Sequence, residues 1–251
     1  DGGAVRFFET AGRVVGCEFE DNTTPGRGGG LYLLTVDSTD LEIEVDSCTF
    51  DSNTAFRGGG MIVLSQTDNI QVFTRDCTFR NNTTIAGEEN LFSSGGGYYI
   101  LSIGGNNSYF ETDNCQFIRN STIGVGGGMQ ETVRGQGYSS LVSNCTFEDN
   151  QADVFGGGFR AIHYDPGNAM RFENCSFVNN NGDVDCGGLE LVLVEDANLD
   201  IAVEGCSFIG NTSLEQGAGL NFYTGDNGRA DLIVEDCLFE NNANNEAGTP
   251  E

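Results

Sequence analysis

The chain has 251 residues, of which 38 are acidic and 11 are Arg or Lys, giving a formal net charge of -27; all 11 are Arg. So acidic a chain argues against nucleic-acid binding and against an anionic membrane surface, since both need clustered positive charge. Apolar residues at 38% and aromatics at 10% exclude a disordered acidic tail, and no run approaches the roughly 18 apolar residues of a membrane-spanning helix.

Two signatures alternate along the chain. Glycine triplets begin at Gly28, Gly58, Gly95, Gly126 and Gly156, with degenerate copies beginning at Cys186 and Gly217. Between them recurs Cys-x-Phe-x-x-Asn, starting at Cys17, Cys48, Cys77, Cys115, Cys145, Cys175, Cys206 and Cys237, with successive spacings of 31, 29, 38, 30, 30, 31 and 31. Eight copies in register define a solenoid with a period near 30. The one long spacing marks an insertion, placed at 85–94.

After each triplet, apolar residues alternate, as in Leu31 and Leu33, Met61 and Val63, Leu189 and Leu191, and Leu220 and Phe222. This period of two predicts a strand. A second alternating run precedes each Cys: Ile43 and Val45, Ile201 and Val203, Leu232 and Val234. The Cys and the Phe two positions on have the opposite parity, so a corner just before the Cys is needed for all four to face inward. The predicted architecture is all-β, a parallel β-helix of about eight coils with three short strands each, occupying 1–251 as one unit. It is expected to be an excerpt of a longer, processed chain.

Within this frame Asn22, Asn53, Asn82, Asn120, Asn150, Asn180, Asn211 and Asn242 are expected at a stacked, left-handed corner. Phe19 to Phe239 should form an internal aromatic stack and the eight motif Cys an internal ladder of buried thiols, with Cys186 the odd one. These motifs resemble the right-handed, single-stranded parallel β-helices of the pectate-lyase-like superfamily. The likeness is greatest to the Phe-x-x-Asn and Gly-Gly-Ala-Ile repeats of polymorphic outer-membrane proteins and adhesin-type surface proteins; residues 1–5, Asp-Gly-Gly-Ala-Val, match the second motif best. The resemblance implies a cell-surface or extracellular solenoid, and among enzymes of this fold polysaccharide lyases and glycosidases.

Candidate sites follow from what decorates the rod. The only His, His163, has inward parity and reads as structural, and acidic pairs such as Glu42 with Glu44, Glu88 with Glu89, Asp183 with Asp185 and Glu195 with Asp196 are expected from acid density alone, so no catalytic residues are assigned. Asp46, Asp76, Asp113, Glu173, Glu204 and Glu235 recur just before the Cys corner and are weak Ca²⁺ candidates; no other cofactor is expected. Of eight Asn-x-Ser/Thr sequons, those at Asn106, Asn144 and Asn174 are expected to point outward and carry N-glycans. Finally, the outward positions of the post-glycine strand are apolar where an exposed sheet should be polar: Tyr32, Leu34, Ile62, Leu64, Tyr99, Leu101, Ile162, Val192 and Tyr223. Such a stripe predicts a covered face, packed against another protein chain or domain. The expected function is a structural or adhesive segment of a cell-surface or filament-forming glycoprotein that assembles laterally; the alternative is a carbohydrate-active enzyme or carbohydrate-binding module with its groove on the acidic pre-cysteine sheet.

Overall fold

A computed structural model describes residues 2–87, 93–225 and 227–245. The chain is an all-β parallel solenoid of about seven turns with about 31 residues per turn. Each turn contributes one strand to each of four parallel sheets. In the second complete turn these are Met61–Ser65 after the glycine corner, Gln71–Arg75 before the Cys, Thr78–Arg80 around the Phe, and Thr83–Thr84 after the Asn. The fourth ladder was not expected, because strands of two residues carry no readable alternation.

The register explains the repeat. Phe19, Phe50, Phe79 and Phe117 are direct partners across the third sheet, and so on to Phe239. Their rings stack with centroids 4.6–4.9 Å apart and planes within 5° of parallel. That spacing is the ~4.8 Å separation of hydrogen-bonded strands, so every turn repeats the same rotamer. The Cys ladder beside it behaves likewise. Cys48 Sγ lies 3.2 Å from the Asp46 carbonyl and 3.4 Å from Val14 O in the preceding turn, and Cys77, Cys115 and Cys145 repeat both contacts. All nine Cys are free thiols, Cys17 alone being exposed. Burial pushes Cys115, Cys145 and Cys186 well above the ordinary thiol value, which suits small apolar fillers.

The Asn corner corrects one detail of the expectation. The left-handed residue is the one before each Asn, as at Asp21, Ser52, Asn81, Arg119, Asp149 and Asn179, with φ between 53° and 57°. The Asn itself is turned inward, and Asn53, Asn82, Asn120, Asn180 and Asn211 have no exposed surface. Its side-chain amide N–H groups donate to the next Asn Oδ1 and to a Phe carbonyl of the preceding turn, for Asn120 at 3.0 and 2.9 Å. Its Oδ1 also accepts from the backbone N–H of the preceding Asn, at 3.0 Å from Asn82. The corner before each Cys is where the opposed parities placed it, with positive φ at Ser47, Asp76, Asn114, Asn144 and Asn174.

The glycine corner needs glycine for two reasons. The first residue of the triplet is left-handed, with φ of 62–69° at Gly28, Gly58, Gly95, Gly126 and Gly156. At the second, a Cβ on Gly59 would lie 2.3 Å from Gly96 O. Cys186 occupies the first position of its triplet at φ 50°, a strained conformation for a side chain with a Cβ. The insertion leaves the fourth ladder after Thr84, and the chain rejoins the corner at Ser94, which bridges Arg57 and Val125. The central part of the predicted loop 85–94, and with it the pair Glu88 and Glu89, lies outside the described residues.

Candidate functional site

The outer face of the post-glycine sheet holds the most informative chemistry. Its register aligns two outward columns. One runs Arg6, Tyr32, Ile62, Tyr99, Gln130, Arg160, Glu190, Asn221, and the other Phe8, Leu34, Leu64, Leu101, Thr132, Ile162, Val192, Tyr223. Tyr32, Ile62, Leu64, Tyr99 and Leu101 form an apolar cluster separate from the interior core, with Leu34 against it. The register sets these side chains on the outer side of the sheet, and they do not join the interior core. The stripe is not uniform along the rod. Tyr32 is 1% exposed and Ile62 0%, so this half of the stripe is already closed within the chain. Ile62 lies between Tyr32 and Tyr99 in register, and stacking at one strand spacing lets large neighbours bury one another's flanks. Beyond it, Ile162 is half-buried, Val192 is buried and Tyr223 is 56% exposed.

Where the columns turn polar, a pocket of about 280 Å³ opens. Its walls are Phe155, Val192 and Tyr223, and its polar lining is Arg160, Asp185, Glu190, Gln216 and Asn221. Arg160 Nε donates to Glu190 Oε2 at 2.7 Å, with the two side chains only 13% and 5% exposed. The Arg160 guanidinium also lies over the Phe155 ring, 5.3 Å from its centroid. Burial raises the Glu190 carboxyl above its ordinary value, against the opposing pull of Arg160. Asp185 is raised too, by burial and by the negative charge of Glu215. Its Oδ1 is buried without a hydrogen-bond partner among the described residues. Of the acidic pairs read from the sequence, only Asp185 belongs to this pocket. Glu190 was missed, although aligning the triplets would have put it in the outward column after Arg160.

The inside of the same sheet holds a second feature that sequence reasoning missed. Glu131 shares the inward parity of Met129 and Val133, is 0% exposed, and stands between Ile100 and Ala161 in register. Its Oε1 is 3.2 Å from His163 Nε2 and its Oε2 accepts from Ser140 Oγ at 3.1 Å. Tyr138 packs edge-on against the His163 ring at 5.7 Å, and burial holds its phenol well above the ordinary value, with Glu131 the next cause. A carboxylate survives inside an apolar tube only with partners such as these. The reading of His163 as a structural, inward residue therefore acquires its partner.

On the pre-cysteine sheet a trough of about 440 Å³ is floored by Ala169, Ala202 and Ile233 and flanked by Arg171, Asp200, Glu204 and Asp231. The Ca²⁺ candidates lie along this sheet without converging. Asp46, Asp113, Glu173, Glu204 and Glu235 share one register row with Arg75 and Ser143, while Asp76 falls in the next row, at the left-handed corner. Arg171 bridges Glu173 and Glu204, at 3.1 Å to each. Among the described residues no three His, Cys, Asp or Glu side chains come together as a metal site would require. Asn144 and Asn174 are exposed and Asn106 half-buried. Asn144 Nδ2, the atom a glycan would take, donates to Asp113 Oδ1 at 2.8 Å.

Compared with models of known protein families, with curated proteins and with solved structures, the chain matches none.

Proposed function

We propose that the chain is a non-catalytic, rigid segment of an extracellular, cell-surface or filament-forming glycoprotein, a right-handed β-helix that packs laterally on a neighbour through its post-glycine sheet. The observation that supports it most is axial continuity. The motif residues of the repeat, Cys, Phe, Asn and the glycine corner, all serve the stacking of one turn on the next, and three of the four sheets run through eight strands. A rod of this kind resists bending and presents long faces. With the cluster around Ile62 closed, the lateral contact falls on the half of the sheet carrying Ile162 and the exposed Tyr223. Sedimentation velocity over a range of concentrations, followed by electron microscopy, tests this. Association weakened by Tyr223→Glu is the expected result; a chain monomeric at every concentration removes the lateral contact. Secretion from a eukaryotic host tests the glycan sites, through a mass shift that Asn106→Gln, Asn144→Gln and Asn174→Gln abolish.

A second reading, a carbohydrate-binding module, is favoured by the trough on the pre-cysteine sheet. Its small-residue floor and its Asp200, Asp231 and Arg171 flanks suit a sugar ring laid flat, with hydroxyls reaching the charged edges. Glycan-array binding lost in Asp200→Asn with Asp231→Asn would support it, and an array without signal would discard it.

A further inference from the structure

The pocket around Arg160 and Asp185 shares Tyr223 with the proposed lateral contact, but its buried charges serve neither reading. We propose that it binds an organic cation, an alkylammonium or guanidinium group carried on a short apolar stem.

The charges decide the sign of the ligand. Among the described residues Arg160 is the only basic group lining the pocket, and it is already held by Glu190 at 2.7 Å. Asp185 has no such ion-pair partner: its Oδ1 is buried and unpaired among the described residues, and although the Gln216 backbone N–H donates to its carboxyl, Glu215 adds negative charge beside it. A buried carboxylate oxygen without a donor is costly, and a donor bearing positive charge is the ligand that best removes the cost. The raised carboxyl of Asp185 reports the same imbalance, since burial and a like charge both disfavour its ionised form. The walls decide the shape. Phe155, Val192 and the exposed Tyr223 form an apolar and aromatic side, and aromatic faces attract cations. The volume, about 280 Å³, lies near the lower end of small-molecule sites, enough for a head group and a short stem.

The repeat supplies an independent observation. This pocket lies where the sequence leaves its own pattern. Asp185 stands at the bridge position held by Arg57 and Ser94 in earlier turns, and the next residue is Cys186, at φ 50° where six other turns have glycine. A strained corner kept beside a carboxylate with one buried, unpaired oxygen is an arrangement found at binding sites. Nothing in the stacking of the solenoid requires it, because the glycine corners stack without it.

The cation has two possible sources, a basic side chain of a partner protein or a free polyamine, and the test separates them. The 251-residue chain is titrated with agmatine, spermidine and Nα-acetyl-lysine methylamide, followed by nuclear magnetic resonance at Val192 and Tyr223, with n-butanol as the uncharged control. The expected result is saturable one-to-one binding of cations that n-butanol does not reproduce. Asp185→Asn should weaken it about tenfold, the loss of one charged hydrogen bond, while Asp200→Asn on the other sheet leaves it unchanged. Tighter binding of spermidine assigns the site to free polyamines, and tighter binding of the lysine derivative to a partner's side chain. Equal weakening by Asp200→Asn would show only general attraction to a polyanion. That outcome, an unsaturated response, or equal binding of n-butanol overturns the proposal.

Discussion

The two halves of the post-glycine sheet share one backbone and one register, yet their outer faces differ completely. Around Ile62 both outward columns are apolar and shut; from Arg160 to Asn221 one column is charged or amide-bearing and, with Val192 and Tyr223 of the other, opens into a pocket. The stacking that unites the turns is interior, carried by Phe, Cys and Asn, so the outer columns are free to vary without disturbing it. A solenoid separates what holds it together from what it shows to its surroundings.

Substitution of the two faces should break that comparison most visibly. Ile62→Asp buries an unpaired carboxylate and should cost about 4 kcal/mol of stability, whereas Asn221→Asp in the open half should change stability by about 0.5 kcal/mol or less. Chemical denaturation of both variants decides it, and similar losses would mean that the faces do not differ. Next in size is the interior pair beneath the change of face. His163→Leu leaves Glu131 buried without its ring partner and should cost about 3 kcal/mol. Adding Glu131→Leu should recover part of the loss, which no simple cavity explanation allows.

Acid sharpens the contrast by sign. Asp185 and Glu190 are raised in the folded chain, so their ionisation opposes folding. Lowering the pH through the interval just above the ordinary carboxylate range should therefore stabilise their turns. Asp51, in the half that carries the closed cluster, differs: burial pushes it up, but hydrogen bonds from Asn81, Ser52 and Arg80 outweigh this and leave it lowered. Its contribution is present above the ordinary carboxylate range and is lost as pH falls through its depressed value. Hydrogen exchange at two pH values should show the two halves moving oppositely, and Asp185→Asn with Glu190→Gln should remove the acid gain. The smallest effect concerns the corners. Cys186→Gly relieves a strained residue and should gain about 1 kcal/mol or less, whereas Gly58→Cys would set a Cβ 2.4 Å from Met61 O and destabilise clearly in a thermal melt.

The solenoid was legible because its determinants recur. The motif spacing gave the turn, parity gave the inward residues, and the opposed parity at Cys48 or Cys77 located a real corner. The fourth ladder was not legible, since pairs such as Thr83 and Thr84 are too short to show a period. The left-handed residue was misplaced by one, because Asn is the residue usually associated with that conformation, yet here its amide does the stacking while residues as different as Arg119 and Ser52 take the strain. Glu131 could have been found as a polar residue at inward parity. The pocket could not be read from any one segment, since its lining comes from turns some thirty residues apart, and only the aligned register brings Arg160, Glu190 and Asn221 together.

The Asn ladder has one consequence beyond adhesion of the turns. From Asn22 to Asn211, each Nδ2 donates to the Asn Oδ1 of the following turn, and none donates to the Asn Oδ1 of the preceding one. The amides therefore form a head-to-tail file of dipoles in which each bond polarises the next. Such a file gives the rod an electrical polarity along its axis, so that its two ends differ in field as well as in sequence.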